Sequence, residues 1–247
     1  MRTISLIPSY NPNNEFVPIV IEELNKFSDV ILFTTEKHKL NVFKTIYFDK
    51  SIGRDLVYKP REWVVGNINQ NWDYVLYNED DILIPEVSFN NVLKLYTTLH
   101  SQFIPGFIRY EFDNRDNSKR YFDMNPVHAV HRGAYGSIKE KWENHQIWEP
   151  WNLHSGNWLF SKSDVKQMIQ NKRFESTFTQ YNFRYGNCDQ LESAASVLYF
   201  NYIKVFPYNF ESVECLHLPK KYIYFVDDNP TTEVLNLKLK NELFKNK

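Results

Sequence analysis

The chain has 247 residues, of which 43% are hydrophobic and 17% aromatic, and its net charge is −1. This length and composition predict a single domain, residues 1–247, with a sizeable core. The near-neutral charge argues against a nucleic-acid partner. No run of about 18 apolar residues exists, which excludes a helical membrane span. The two cysteines are far apart and lack zinc-type spacing, so we expect a reducing, cytoplasmic compartment.

The N-terminal quarter alternates strand and helix patterns. Residues 3–7 form a β-favouring run that ends in the loop signal Pro8-Ser-Tyr-Asn-Pro12, and residues 15–27 carry apolar side chains at helical spacing. Further strands are predicted at residues 30–34 and 45–48. This order predicts an α/β fold with a mixed, mainly parallel sheet flanked by helices. In such sheets ligands bind at the carboxyl ends of the strands.

A helix predicted over residues 53–67 carries the cations Arg54, Lys59 and Arg61. Its basic face is either solvated, as on an ordinary amphipathic helix, or supplies one or two cations to a phosphate. The chain has no GxGxxG or GxxxxGK[ST] motif and only 7 glycines. A dinucleotide-binding Rossmann site and a P-loop are therefore disfavoured.

Three consecutive acids, Glu79, Asp80 and Asp81, lie between two apolar runs at residues 74–77 and 82–84. The first run predicts a buried strand. Carboxylates in such a position are costly unless their charge is compensated. Either they form a solvated turn between two strands, or they bind a divalent cation such as Mg²⁺ or Mn²⁺, which prefers oxygen ligands.

The remaining elements follow from the same patterns. Helices are predicted at residues 87–99, 164–170, 190–199 and from 231 onwards, and strands at 103–110, 154–160, 202–207 and 214–219. Ser161 or Ser163 is expected to cap the second of these helices. Residues 111–123 are predicted to form a charged hairpin or loop, and residues 125–151 have little regular pattern.

The order of these motifs resembles that of GT-A-type nucleotide-sugar glycosyltransferases. It comprises a first strand with a Pro-Ser-Tyr loop, the Glu-Asp-Asp triplet, the Ser-Gly-Asn-Trp strand at 155–158, an acid at a helix start and a late histidine, over residues 3–219. The size is similar to that of the small glycosyltransferases of large DNA viruses. The resemblance implies a GT-A-like, Rossmann-related fold. It also implies a nucleotide-sugar-binding half at 1–85, an acceptor half at 86–219 and a tail at 220–247.

The implied activity is a hexosyltransferase that uses a nucleoside-diphosphate sugar, with a UDP-sugar as the expected donor, and a glycan or glycoprotein acceptor. By the same resemblance Asp81 binds Mn²⁺ or Mg²⁺, while Glu79 and Asp80 contact the ribose, the sugar or a metal-bound water. A late histidine, His217, completes the metal shell. Its rivals are His128, His131 and His154.

The donor loop is assigned by the same resemblance. Pro8 and Tyr10 follow the first strand, and Tyr10 resembles the residue that stacks on or flanks the base, although a tyrosine at the rim of a site is the alternative. Arg54 and Lys59 are the candidate partners of the diphosphate.

The acceptor side is assigned to the second half of the chain. Asp189 resembles the general base of an inverting enzyme, with Glu192 as second choice and a plain helix cap as the alternative for Asp189. The best-known inverting pattern has two adjacent acids here, which leaves inversion against retention open. The candidate acceptor contacts, which could equally be core residues, are Trp148, Trp151, Asn157 and Trp158.

Two other functions remain open from the sequence. A sugar-phosphate nucleotidyltransferase would share the α/β sheet, but that class usually has a glycine-rich loop where this chain has Pro8-Ser-Tyr-Asn11. A non-catalytic glycan-binding module would keep the fold without needing the acidic triplet. Metal-dependent stabilisation by uridine diphosphate would separate the transferase from the module.

Overall fold

The computed structural model describes residues 1–99, 103–121, 138–142, 145–148, 156–171, 174, 203–219 and 231–237. The strands are β1 (Thr3–Ser9), β2 (Asp29–Thr34), β3 (Lys44–Tyr47), β4 (Tyr74–Asn78), β5 (Ile82–Leu83), β6 (Phe103–Pro105), β7 (Ile108–Phe112), β8 (Lys119–Tyr121), β9 (Ile138–Trp142), β10 (His145–Trp148), β11 (Asn157–Ser161), β12 (Ile203–Pro207) and β13 (Glu214–His217). The helices are α1 (Phe16–Leu24), α2 (Lys59–Gly66), α3 (Glu86–Thr98) and α4 (Lys162–Gln170), with 3-10 helices at Lys50–Tyr58 and Phe210–Val213. Residues 232–237 are also helical.

The main sheet has five strands in the order β11-β4-β1-β2-β3. β1 pairs in parallel with β2 and β4, β2 pairs in parallel with β3, and only β11 runs antiparallel to its neighbour β4. The prediction of a mixed, mainly parallel sheet flanked by helices is therefore confirmed. The parallel pairing of β1 and β4 brings their carboxyl ends, and the loops after them, to one edge of the sheet.

Helices cover both faces of the main sheet. Alternate side chains of each strand point to opposite faces, so β1 buries Ile7 on one face and Leu6 on the other. The first face packs with α1 and α3, and the second packs with the 3-10 helix Lys50–Tyr58, α2 and α4. This double cover explains why the strands are nearly continuous apolar runs.

A smaller sheet, in the order β5-β13-β7-β8, lies beside the acidic triplet. β13 pairs antiparallel with β5, which sets His217 opposite Ile82. β13 also pairs in parallel with β7, with Leu216 opposite Tyr110. One short strand near the end of the described chain is thus held next to the residues that follow β4. A third sheet has the order β6-β12-β10-β9.

Local chemistry explains where elements differ from their predicted bounds. The stretch predicted as one helix at 53–67 is the second part of a 3-10 helix, which is kinked at Gly53 with φ 52°, followed by α2 from Lys59. The strand predicted at 103–110 is two strands, and the second, β7, continues through Glu111 to Phe112. The hairpin expected within 111–123 is confirmed by the antiparallel pairing of β7 and β8.

The other outcomes are simpler. The predicted Ser161 cap is confirmed, since the Ser161 side chain accepts a hydrogen bond from the amide of Asp164 at the start of α4. The helix predicted at 190–199 lies outside the described residues. Among the described helices, none has the length and apolar character needed to cross a membrane.

Candidate functional site

The acidic triplet forms a tight turn at the carboxyl end of β4. The amide of Ile82 donates to the carbonyl of Glu79 at 3.3 Å, which closes the turn. The side-chain amide of Asn78, which is fully buried, donates to the carbonyls of Glu79 and Ile82 at 2.9 and 2.8 Å. These hydrogen bonds hold the turn, and with it the three carboxylates, in one geometry. An acidic turn that only faced water would not need them.

Asp81 and His217 meet across the edge between β5 and β13. The amide of Leu218 donates to the Asp81 carbonyl at 2.9 Å, which extends the pairing of the two strands by one residue. Nε2 of His217 then lies 3.5 Å from Oδ2 of Asp81. The His217 side chain is 5% exposed and that of Asp81 is 22% exposed. The structure thus brings together two residues that are far apart in the sequence, and their role as metal ligands stays a prediction.

Glu111 holds the other side of the same imidazole. Its Oε1 lies 2.5 Å from Nδ1 of His217, and its side chain is 1% exposed. Burial disfavours charge on His217, but the hydrogen bonds to Asp81 and Glu111 outweigh it and hold the pKa of the imidazole above its usual value. Sequence reasoning missed Glu111 because it was assigned to the charged loop after the strand.

Among the described carboxyl groups, Glu79 has the pKa that departs furthest from its usual value. Desolvation by the surrounding protein, followed by repulsion from Asp81, raises the pKa of Glu79 to about 8. Arg109 and His217 act in the opposite direction and only partly offset these effects. Arg109 is 3% exposed and lies on β7 two residues before Glu111. The spacing of Arg109 and Glu111 by two residues places both on one face of β7, and the structure shows that this face is buried.

Gly156 provides the space that Glu79 occupies. Its carbonyl accepts a hydrogen bond from the Glu79 amide at 2.9 Å, and its φ of +65° favours glycine. A Cβ at this position would lie 2.5 Å from Oε2 of Glu79 and closer still to Cδ1 of Ile82. The glycine of the Ser-Gly-Asn-Trp segment therefore shapes the acidic turn directly.

The donor-loop candidates lie around the end of β1. Pro8 is buried inside β1, whereas Tyr10 is 38% exposed just beyond it. The hydroxyl of Tyr10 donates to the carbonyl of Gly53, and the pKa of this hydroxyl is raised mainly by burial, with a smaller opposing effect from Arg54. Tyr10 and the exposed Arg54 are therefore neighbours, as a shared donor role requires.

The two cations of α2, Lys59 and Arg61, have different surroundings. Nζ of Lys59 lies 2.7 Å from both carboxylate oxygens of Glu62, one turn further along α2. Arg61 is 3% exposed and lies over the ring of Tyr58 at 6.0 Å. Burial raises the pKa of the nearby Tyr77 hydroxyl, and Arg61 partly opposes that rise. Glu79 and Asp80 act on the same hydroxyl. Arg61 is thus the cation of α2 that lies close to the acidic end of β4.

The acceptor candidates on β11 prove to be core residues. The ring of Trp158 is 2% exposed and stacks on Tyr77 with ring centroids 5.4 Å apart. Asn157 is 1% exposed and its amide donates to Sγ of Cys215 at 3.7 Å. Their prediction as acceptor contacts is wrong, because neither side chain is open to a ligand. Both instead fix β11 and Gly156 against β4 and β13.

Four further candidates cannot be placed. Asp189, Glu192 and Trp151 lie outside the described residues, as do the rival ligands His128, His131 and His154. Trp148 belongs to β10 by its backbone, but its side chain lies outside the described part of the structure. Their roles stay predictions.

The donor set fits a hard divalent ion in one specific way. Within the described ranges, no three His, Cys, Asp or Glu side chains converge as a ready-made metal site. Mg²⁺ is commonly held by one or two carboxylates together with substrate phosphates and water. Asp81 could supply such a carboxylate and His217 a nitrogen ligand beside it, and Glu111 supplies the hydrogen bond that metal-binding imidazoles usually make through their second nitrogen.

Comparisons with known proteins do not assign the chain to a family. No protein-family model matches the chain. No curated protein matches it significantly. Any function for the chain therefore depends on the chemistry of the site itself.

Proposed function

We propose that the chain is a metal-dependent glycosyltransferase of the GT-A type, which moves a sugar from a nucleoside-diphosphate sugar to a glycan or glycoprotein acceptor. One observation carries the proposal: a rigid turn of three carboxylates at the end of β4, with Asp81 facing His217. The edge at which this turn lies is where ligands of parallel α/β sheets bind.

The charges around the turn support a cation as ligand. Among the described groups, burial and the charge of Asp81 raise the pKa of Glu79 by more than Arg109 and His217 lower it. A carboxyl whose pKa is raised to about 8 marks a surplus of negative charge in a poorly solvated place. A divalent cation would remove that surplus, and a diphosphate would then follow the cation.

Each residue then has a defined task. Asp81 and His217 would hold the ion, and Asn78 fixes the turn by its hydrogen bonds so that little reorganisation would be needed on binding. The ion would neutralise the charge that grows on the leaving diphosphate as the glycosidic bond breaks. Tyr10 and Arg54 flank the position expected for the nucleotide, beyond the end of β1.

The proton of the acceptor hydroxyl needs a base that is not bound to the ion. Asp189 is the proposed base for an inverting mechanism and Glu192 is its alternative, both beyond the described residues. Asp189→Asn should keep nucleotide binding and lose transfer by about 10²–10⁴-fold. Loss with Glu192→Gln instead assigns the base to Glu192, and loss with neither variant favours retention.

Thermal unfolding with uridine diphosphate tests the proposal. Nucleotide at about 100 times its Kd should stabilise the protein by about 2.7 kcal/mol. For a chain of this length that corresponds to an increase in Tm of about 5–10 °C. We expect this increase only when Mn²⁺ is also present. Asp81→Ala should abolish it.

Asp116→Ala is the matched control, because Asp116 is an exposed acid on the β7–β8 hairpin, away from the turn. This variant should respond to nucleotide and Mn²⁺ as the parent does. If neither uridine nor other nucleoside diphosphates stabilise the parent with Mn²⁺, the transferase proposal fails and a glycan-binding module becomes the better explanation. If Asp81→Ala binds as tightly as the parent, the ion lies elsewhere.

A further inference from the structure

Glu111 and His217 are brought together by the pairing of β7 and β13. These strands are parallel, with Leu216 opposite Tyr110, so the next residues along each strand, His217 and Glu111, are neighbours. Oε1 of Glu111 lies 2.5 Å from Nδ1 of His217. Both side chains are almost completely buried, at 1% and 5% exposed. The contact is therefore built into the sheet and is shielded from water.

This contact determines which nitrogen of a neutral His217 carries the proton. An ionised carboxylate can only accept a hydrogen bond, and Nδ1 lies 2.5 Å from Glu111 whereas Nε2 lies 3.5 Å from Asp81, so Nδ1 is the better placed donor. The lone pair of the neutral ring then resides on Nε2, the atom that lies 3.5 Å from Oδ2 of Asp81. The nitrogen able to bind a metal ion and the carboxylate able to share it thus face each other.

We propose that Glu111 is a positioning residue that holds His217 as its Nδ1–H tautomer, with Nε2 directed toward Asp81 for a divalent cation. This inference rests on the proposed function for the identity of the ion, but the tautomer itself does not depend on it. Pairing of a metal-binding imidazole with a carboxylate through its second nitrogen fixes the ring orientation and strengthens the ligand.

The position of Glu111 is otherwise difficult to explain. Burying a carboxylate is unfavourable unless it is compensated, and its second oxygen, Oε2, is buried without a hydrogen-bond partner in the described part of the chain. The neighbouring turn adds further acids. An apolar side chain would pack in a strand at lower cost. A role for the negative charge in orienting and polarising His217 accounts for its presence there.

The first measurement is the tautomer of His217 in the parent protein without metal. Two-bond ¹H–¹⁵N spectra at about pH 9, well above the usual histidine pKa, distinguish the two neutral forms. We expect the Nδ1–H form. The Nε2–H form in the parent would overturn the proposal without any need for a variant.

The second measurement compares Glu111→Gln with Glu214→Gln. Both glutamates are buried in the same sheet, but Glu214 bonds to Lys119 and Tyr121 and has no contact with His217. Glu111→Gln should bind Mn²⁺ about 10–100-fold more weakly in the presence of uridine diphosphate, measured by electron paramagnetic resonance of free Mn²⁺. It should also give a mixture of tautomers, because an amide can donate as well as accept. Glu214→Gln should change neither property.

The outcomes separate the two proposals. Parental Mn²⁺ affinity in Glu111→Gln, with a parent that binds normally, overturns the role of Glu111 alone. A parent with the Nδ1–H tautomer that binds no Mn²⁺ with any nucleoside diphosphate overturns the proposed function, and with it the metal-directed part of this inference. If Glu111→Gln does not fold, the tautomer of the parent remains the deciding measurement.

Discussion

Two groups of acids, one on the β7–β8 hairpin and one in the turn after β4, have pKa values shifted in opposite directions. At the hairpin end, Asp113 bonds to Arg115 and Arg120 at 3.0 and 3.1 Å, and the hydrogen bonds from Arg115 hold its pKa at about 2. At the other end burial and Asp81 raise the pKa of Glu79 to about 8. The same chemical group is thus strongly ionised at one end and resists ionisation at the other.

The difference lies in what compensates the charge. At the hairpin end arginines match the acid, and Glu214 is likewise matched by Lys119 and the Tyr121 hydroxyl. These contacts tie β7, β8 and β13 together and need nothing further. At the triplet end burial and Asp81 outweigh the described basic groups that act on Glu79, Arg109 and His217, which is expected of a site completed by a cation. The balanced group serves the fold, and we infer that the acid-rich group serves a ligand.

The largest expected effect is on the balanced group. Glu214→Leu removes a buried carboxylate from Lys119 and Tyr121 and should lower the free energy of unfolding by about 3 kcal/mol, measured by urea denaturation. Glu62→Ala removes the carboxylate of the more exposed pair with Lys59 and should cost about 0.3–0.5 kcal/mol. Equal small losses in the two variants would show that the balanced group does not hold the sheet.

The next-largest effect is expected on Mn²⁺ binding at the acid-rich group. His217→Ala should weaken Mn²⁺ binding by about 100-fold, equivalent to about 2.7 kcal/mol. His38→Ala should leave binding unchanged, because His38 bonds to Thr45 and the Leu40 amide instead. Since the pKa of His217 is raised above its usual value and a metal ligand must be unprotonated, parental affinity should fall as pH drops through that raised pKa. Calorimetric titration at several pH values measures both effects.

A smaller effect is a gain in stability. The pKa of Glu79 in the folded protein, about 8, lies above the ordinary value of 4.5, so the folded state binds more protons between these values. Its contribution to stability is present below about pH 4.5 and is lost as pH rises through about 8. Without metal, Glu79→Gln should therefore stabilise the protein at about pH 9 by more than about 1 kcal/mol, since one pKa unit corresponds to about 1.4 kcal/mol.

Urea denaturation at about pH 6 and about pH 9 provides the check on Glu79. The difference between parent and Glu79→Gln should shrink at the lower pH. Mn²⁺ should lessen the loss of parental stability at the higher pH, because the cation favours ionised carboxylates. A variant that is less stable than the parent at both pH values would show that the ionised Glu79 is compensated within the protein, as Asp113 is.

The smallest effect concerns a cation of the predicted donor site. Lys59 already bonds to Glu62, so Lys59→Ala should change the affinity for uridine diphosphate by less than about 1 kcal/mol, or about fivefold. Arg54→Ala should have the larger effect, because Arg54 lies beside Tyr10. Titration of the two variants with uridine diphosphate measures the two losses of affinity. A greater loss in Lys59→Ala than in Arg54→Ala would show that Lys59 contacts the diphosphate.

The sequence predicts the secondary-structure elements more accurately than it predicts where the charged side chains lie. Strands β2 and β4 and helix α3 follow from apolar runs and helical spacing, which report local burial. The change from a 3-10 helix to α2 within residues 53–67 does not follow from the sequence, because apolar spacing does not separate the two kinds of helix. Glu111 was assigned to a loop because a buried charge in a strand contradicts the usual pattern.

The site shows the same limit. Asp81 and His217 were paired through the family resemblance, and their contact depends on the antiparallel pairing of β5 and β13, which no local pattern determines. The prediction of Trp158 as an acceptor contact is wrong, because an aromatic residue after a glycine occurs in protein cores as well as in binding sites, and the Trp158 side chain is buried. Which strands pair, and in which register, decides whether such a residue lies in the core or in a site; composition does not.

The most direct test of the account is anomalous diffraction from crystals grown with Mn²⁺ and uridine diphosphate. The account predicts a manganese peak about 2–2.5 Å from a carboxylate oxygen of Asp81 and from Nε2 of His217, with diphosphate oxygens completing the shell. Nucleotide bound with manganese away from both residues, or bound with no manganese peak, would contradict it.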